Sequence, residues 1–395
     1  MLPRPKMRIA LLTTDGREVW KDYGTPAPHF GTAVEALMQG FARMPGVEVH
    51  VVACACARVN APPKLAANVF FHSLFVPKLG WMRTGYQGCI RAVRNKLREI
   101  RPDVVHGQGT ERDCAICAVF SGFPNVVTIH GNMAELARQF GERVGSYGWL
   151  AAKLETFTLK RTDGVLCNSA YTEQLVQPRA RRTWRVANAL REMFFAPTPA
   201  LGAGKRCTLL NVGVISARKR QLELLEVARD LRQQGLDCEF QFVGNARPDA
   251  GYVSAFLERI KPLEREGLAC CVGIKTNTDL VQLFDQAAGM VHFSPAESFG
   301  LAVAEGLARD LKLFGARVGG VPDIASGVPG AELFAVDDWR GLTRAIADWI
   351  RSGYPRARGA ADVMRARYHP ENIARRHVEI YQEVLKIVSQ KRKGC

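Results

Sequence analysis

The chain lacks any long hydrophobic run. Its longest apolar stretches, such as Cys207 to Val214, have the length of a strand, whereas a membrane-spanning helix needs about 20 apolar residues. The start, Met1-Leu2-Pro3-Arg4-Pro5-Lys6-Met7, has no apolar h-region or cleavage site of a secretory signal and leads into an expected strand. These absences predict a cytoplasmic protein. Metal-ligand patterns are also scarce. Cys114 and Cys117 form one C-x-x-C in an apolar stretch, with no second pair or His-x-His set to complete a zinc site. No acid-x-acid pattern stands at a strand end, so no metal is expected. The eleven cysteines are odd in number and scattered through apolar surroundings, which predicts reduced, buried thiols. No helix-turn-helix, zinc-finger or RNA-binding signature is present, and no solenoid repeat.

Acidic residues are outnumbered. Lys and Arg total 54 against 38 Asp and Glu, a net charge of +16. An anionic partner follows: a nucleotide sugar, an anionic membrane surface or nucleic acid. The densest basic runs are 179–185, 356–367 and 391–393. The 395 residues suffice for two domains of ordinary size. A hydrophobic content of 47% and a charged content of 23% are those of a globular protein.

Strand and helix patterns alternate, as a parallel sheet covered by helices requires. In the first half, strands are expected at 8–14, 47–54, 104–106, 126–130, 165–168 and 184–187. The clearest helix opens at Thr32, with Glu35 three residues on as a capping box. The second half restarts with strands at 208–215, 238–243, 270–273, 289–293, 311–315 and 333–335. Helices are expected at 221–234, 253–266, 278–287, 301–308 and 341–351. Residues 197–204, rich in Pro, Gly and Ala, read as a linker. The fold class is therefore α/β, with Rossmann-like domains at 1–195 and 196–370 facing a cleft, and a last helix at 371–395. Only the tail 391–395 reads as disordered.

One segment carries most of the chemistry: Pro295-Ala296-Glu297-Ser298-Phe299-Gly300-Leu301-Ala302-Val303-Ala304-Glu305. It reads as a strand end followed by a helix beginning near Ser298. At 1.5 Å per residue the two carboxylates would lie at most about 12 Å apart along the axis, roughly the length of a sugar on a nucleotide diphosphate. The amides of Phe299, Gly300 and Leu301 would lie between them, where a helix start favours phosphate. A second candidate is Arg218-Lys219 after the strand that ends near Gly213. Two cations at the C-terminal edge of a parallel sheet suit a diphosphate. His130 ends another strand. Gly31 opens the helix at Thr32, and Gly244 ends a strand of the second half.

These motifs resemble the family-four glycosyltransferases of the GT-B fold. The Glu-x7-Glu segment with its Phe-Gly-Leu is similar to their donor motif, which implies that Glu297 contacts the donor sugar and Glu305 the ribose. Gly213, Arg218, Lys219 and Gln221 match the Gly-x-x-x-x-Arg-Lys-x-Gln segment, whose cations neutralise the donor diphosphate. Thr128-Ile129-His130 matches a Thr-x-His motif whose His reaches the sugar. Gly244 matches a glycine that approaches the nucleotide, and Gly31 one in a loop near the donor phosphates. Gly319-Gly320-Val321-Pro322-Asp323 resembles a loop lining the donor pocket. Asn188 resembles the Asn of an Ile-Pro-Asn-Gly turn. The chain departs from the pattern at Val214, where many members have Arg, and at Gly131, where Asp is usual. The first loop lacks a double glycine. Residues 309–313 replace a Cys-Gly-x-Pro-Val segment.

The resemblance implies a retaining, metal-independent hexosyltransferase. A nucleotide-diphosphate sugar would be co-substrate, with no cofactor, and the acceptor a glycan, lipid or small molecule. The second domain would bind the donor and the first the acceptor, with the last helix returning to the first domain. Peripheral contact with the inner face of an anionic membrane is expected, and nucleic acid is not. Trp81, Arg83 and Tyr86 near a helix start would suit a lipid acceptor, but the stretch reads rather as an ordinary amphipathic surface. Two other readings stand beside this one: a GT-B sugar-nucleotide epimerase, and a non-catalytic basic protein bound to anionic membrane or nucleic acid.

Overall fold

The structure is a computed structural model describing residues 6–199, 206–246 and 251–393. The chain forms two compact units, Met1–Arg191 with Tyr368–Cys395, and Glu192–Arg367. The expected linker falls just inside the second unit; its residues 200–204 lie outside the described residues.

In the first unit the strands are β1 (Met7–Leu12), β2 (Val47–Ala55), β3 (Lys64–Ala66), β4 (Val69–Phe75), β5 (Val104–Gln108), β6 (Asn125–Ile129), β7 (Gly164–Cys167) and β8 (Thr183–Arg185). Their order is β3-β4-β2-β1-β5-β6-β7-β8, parallel except for β3. The helices are α1 (Gly16–Trp20), α2 (Thr32–Ala42), α3 (Gln87–Ile100), α4 (Asp113–Val119), α5 (Met133–Gln139), α6 (Tyr147–Leu159) and α7 (Ala170–Val176). Strand side chains alternate between two buried faces. Ile9 and Leu11 join a core with Leu37 and Phe41 of α2. Ala10 and Leu12 join another with Val93 and Leu97 of α3 and Ile116 of α4.

Several expectations need correction here. Strands β3 and β4 were not expected. Lys64–Ala66 is too short to carry a pattern, and Val69–Phe75 is only partly buried near the sheet margin. The capping box at Thr32 is not formed: Gly31 is the N-cap, with no side-chain cap bond, and Glu35 faces Arg191 instead. Trp81 and Tyr86 are not surface residues. They are 9% and 2% exposed and belong to the core under α3, which removes the surface reading of that stretch.

In the second unit the strands are β9 (Cys207–Val212), β10 (Cys238–Val243), β11 (Ala269–Gly273), β12 (Gly289–His292), β13 (Lys312–Ala316) and β14 (Ala331–Phe334). They form a parallel sheet ordered β11-β10-β9-β12-β13-β14. The helices are α8 (Gln221–Gln233), α9 (Tyr252–Arg265), α10 (Asn277–Gln286), α11 (Leu301–Leu307), α12 (Val321–Ala325), α13 (Trp339–Arg351) and α14 (Ala360–Tyr368). The departure at 309–313 has a structural explanation. Arg309 is 1% exposed, pairs with Asp285 at 2.6 Å and donates to the carbonyls of Phe194, Ala196 and Pro197. It fastens the segment that enters this unit.

The last helix, α15 (Pro370–Lys393), belongs to the first unit and lies against α2. It runs through residues 391–393, which were expected to be disordered. Tyr381 is fully buried, and its hydroxyl lies 2.6 Å from His106 Nδ1. His106 Nε2 meets the Thr128 hydroxyl at 2.7 Å. Burial holds this imidazole well below its usual pKa, and therefore neutral. A neutral ring offers one N–H and one lone pair, and two hydroxyls can satisfy both. No helix among the described residues is long and apolar enough to cross a membrane. Among the described residues ten cysteines, Cys54 to Cys271, are free thiols.

Tyr381→Phe should lower stability by about 1–3 kcal/mol, the usual cost of leaving a buried polar group without its partner. Urea unfolding of the variant against the parent measures it; an unchanged midpoint would mean that the hydroxyl is not needed.

Candidate active site

Chain order decides where a site can form in the second unit. From β9 the chain proceeds outward through β10 and β11, then returns to β12 and proceeds the other way. The loops after β9 and β12 therefore diverge, and ligands of open α/β sheets bind at such a reversal, beyond the carboxyl ends of the strands. The two strands pair only through Leu209 and Leu210. Beyond that, Asn211 Nδ2 reaches the Val291 carbonyl at 2.9 Å.

The loop after β9 is held by Gln221, which is fully buried. Its side chain accepts from the Ser216 amide at 3.1 Å and donates to the Val214 carbonyl at 3.2 Å. This fixes the 3-10 turn Ala217–Lys219. Arg218 is exposed. Lys219 points inward, at 14% side-chain exposure. Arg220 turns elsewhere, to the Val336 carbonyl and Asp337, each at 2.9 Å. Gly213 and Gly244 end adjacent strands, and a Cβ on Gly244 would stand 2.1 Å from the Gly213 carbonyl oxygen.

The loop after β12 carries His292, Ser294 and Glu297. The Ser294 hydroxyl lies 2.9 Å from the carbonyls of both Arg218 and Ala296, joining the two loops. Gly319 and Gly320 press on the same backbone. A Cβ on Gly319 would stand 1.6 Å from the Glu297 carbonyl oxygen, and one on Gly320 2.6 Å from that of Ser298. Only glycine permits that approach. Helix α11 starts at Leu301, not near Ser298, because Gly300 is its N-cap at φ 104°. Phe299 and Gly300 thus form a turn ahead of a two-turn helix. Glu305 lies within that helix and is 4% exposed.

Lys219 Nζ donates to Glu297 Oε2 at 2.6 Å, and His292 Nε2 lies 3.2 Å from the same oxygen. Burial alone would raise the Glu297 pKa. The His292 hydrogen bond and the Lys219 charge outweigh it and hold the carboxyl well below its usual range. Burial, with the charges of Lys219 and Arg218, lowers the His292 pKa against the pull of Glu297. At neutral pH the cluster is an ammonium, a carboxylate and a neutral imidazole.

Two family models match the chain: Glycosyltransferase Family 4 over residues 31–188, and Glycosyl transferases group 1 over residues 199–362. The chain belongs to the family-four glycosyltransferases of the GT-B fold. Solved structures agree on the fold. Sucrose-phosphate synthase from Thermosynechococcus elongatus is 18% identical with a TM-score of 0.74, over 97% of this chain and 100% of that one. HepE from Anabaena, in complex with UDP-glucose, is 17% identical with a TM-score of 0.69, over 97% and 100%. A glycosyltransferase from Rickettsia africae is 13% identical with a TM-score of 0.69, over 96% and 99%. No curated protein matches the sequence.

The glycosyltransferase keeps its other expected site residues in the first unit. His130 Nε2 lies 2.9 Å from Gln108 Oε1. Burial lowers its pKa to about 4, so it is neutral. Gly131 after it donates to Glu111 at 3.2 Å. Gly31 is exposed, and a Cβ there would meet nothing within 4 Å. Two further carboxylates, Glu111 and Glu155, shape the region unannounced by any motif. Fully buried Glu155 accepts from Thr110, Met133, Ala134 and Arg179. Among the described residues one group has metal-ligand proximity, Cys54, Cys89 and Asp113, within 4.8 Å of one another. Its spacing in sequence concealed it. Contact with Cys89 and burial push the Cys54 thiol up, and burial raises Asp113, so both tend to keep their protons. A groove of about 690 Å³ lies between α8 and α13, lined by Glu226, Trp339 and Arg344 among others. It contains none of the expected site residues, and the cation–carboxylate cluster at the strand reversal is the better candidate on chemistry.

The lowered Glu297 pKa makes stability depend on pH. A depressed carboxylate contributes fully above its ordinary value, 4.5, and its contribution is lost as pH falls towards the folded value. The stability difference between the parent and Glu297→Gln should therefore shrink below about pH 4.5. Denaturant titrations at pH 7 and pH 3.5 test it; a constant difference would show that the carboxylate is not held ionised.

Proposed function

We propose that this glycosyltransferase moves a hexosyl group from a nucleotide-diphosphate sugar to a glycan, lipid or small-molecule acceptor, with retention of configuration. The observation that carries the donor reading is the Lys219–Glu297–His292 cluster beside Arg218 at the strand reversal. HepE, of the same fold, binds UDP-glucose, which supports a nucleotide sugar here.

Breaking the bond between the anomeric carbon and the diphosphate leaves the electron pair, and negative charge, on the departing oxygen. In this reading Arg218 and Lys219 offset it, the role a metal ion fills elsewhere. Lys219 has three N–H groups and commits one to Glu297, leaving two for phosphate. The sugar passes through an oxocarbenium-like state. The acceptor oxygen then bonds to the same face, and its proton leaves with the diphosphate. In this reading Glu297 and His130 position the sugar, and Glu305 accepts from the ribose. Gly31, Gly213, Gly244, Phe299, Gly300 and Leu301 line the donor. The first unit takes the acceptor. A cytoplasmic setting, with the net +16 charge meeting an anionic membrane surface, belongs to the same proposal.

Screening nucleotide sugars for a raised thermal midpoint, beginning with UDP-glucose, tests the donor, because a ligand that binds the native state stabilises it. With that donor, Glu305→Gln should weaken binding about tenfold, the loss of one charged hydrogen bond. Unchanged affinity in calorimetry would remove Glu305 from the site.

Arg218→Ala combined with Lys219→Ala should lower kcat by at least about a hundredfold while the fold is retained, since the charge they meet develops in the transition state. Parental turnover in that variant would overturn the diphosphate role. Retention is read directly from the anomeric configuration of the first-formed product.

A further inference from the structure

We infer that His292 is a positioning residue for Glu297, holding one carboxylate oxygen so that the other faces the donor sugar. This rests on the reading of Glu297 as a sugar contact. Both protein donors converge on Oε2, Lys219 at 2.6 Å and His292 at 3.2 Å. Among the described residues Oε1 has no protein partner. An ionised carboxylate only accepts, so His292 Nε2 carries the proton. Oε1 is thereby left with its lone pairs for sugar hydroxyls.

The two donors differ in how they are held. Lys219 sits on a four-carbon stem in a 3-10 turn, and the donor diphosphate competes for its ammonium. His292 ends β12 and is 2% exposed. Its ring has two rotatable bonds, both inside a packed strand end. When phosphate draws Lys219, His292 is the group that keeps the carboxylate in place. The role is specific to the sugar half of the donor, because nothing in it touches the nucleotide.

The experiment compares His292→Leu, which removes the N–H, with His292→Gln, whose amide has similar reach. Each is measured alone and with Glu297→Gln, using UDP-glucose and UDP, or the matching pair for the donor that the screen selects. Losing a hydrogen bond to a charged group should lower kcat about tenfold in His292→Leu. UDP affinity should stay within about twofold, and His292→Gln should recover most of the rate. In the Glu297→Gln background, His292→Leu should change nothing further, since coupled residues are not additive. If His292→Leu does not fold, as read by thermal midpoint, His292→Asn replaces it, its shorter amide falling short of Glu297. Three results overturn the proposal: parental kcat in His292→Leu while Glu297→Gln is impaired, equal losses in the Leu and Gln variants, or additive losses. If Glu297→Gln itself keeps parental kcat, the reading of the site falls, and the proposal with it.

Discussion

The structure of the second unit depends on a constraint of open parallel sheets with helices on both faces: right-handed crossovers require the strand order to reverse, and where it does, two loops part. Here the reversal lies between β9 and β12. Their pairing ends at Leu210 and Met290, so the backbone beyond must find other partners. Gln221 supplies them on one side, and Ser294 ties one loop to the other. The Gly319–Gly320 turn closes on Glu297 from behind, its Gly320 amide donating to the Glu297 carbonyl at 3.1 Å. These contacts turn a topological gap into a fixed frame. A frame of that kind is what a cluster of charges needs, because its hydrogen bonds must stay aligned without help from water.

The cluster itself obeys a second constraint. A carboxylate that is mostly buried keeps its charge only if donors offset the lost hydration. Glu297 has two, one cationic and one neutral. Were His292 charged as well, the site would hold a surplus of positive charge in poor solvent. Burial and the nearby cations prevent that. The Lys219–Glu297–His292 cluster therefore holds one negative group, Glu297, against one ammonium and one neutral ring.

Much of this was legible in the residues. The six strands of the second half were all expected, because β-branched and aromatic runs between turn signals identify buried parallel strands well. Arg218, Lys219 and Glu297 were visible as charges at strand ends. The origin of their alignment was not. Gln221 and Gly319 read as bare motif letters, and only three-dimensional proximity shows that one replaces missing ladder bonds and the other permits backbone contact at 1.6 Å from a would-be Cβ. His292 was hidden because a histidine closing an apolar strand gives no signal of its partner five residues on. Strands β3 and β4 were missed for a different reason: β3 is three residues long, and β4 alternates only over Val69–His72 before its burial fades. The helix start at Ser298 was misplaced because local propensity does not reveal the positive φ of Gly300.

In the first unit the same logic runs through neutral groups, and it explains why the last helix belongs there. His130 is set by Gln108, whose amide Nε2 lies 3.1 Å from His106 Nε2. His106 is buried and needs partners for both ring nitrogens; Thr128 provides one and Tyr381 of α15 the other. Without Tyr381 the buried Nδ1 would keep only the Gln108 amide, at 3.3 Å. The helix at the end of the chain thus completes the hydrogen bonding beneath β5 and β6, the two strands that carry Gln108 and lead to His130. The sequence distance is large, 275 residues between His106 and Tyr381, yet the setting of the His130 ring rests on that contact through Gln108. A residue whose own motif spans three positions is positioned by the whole length of the chain.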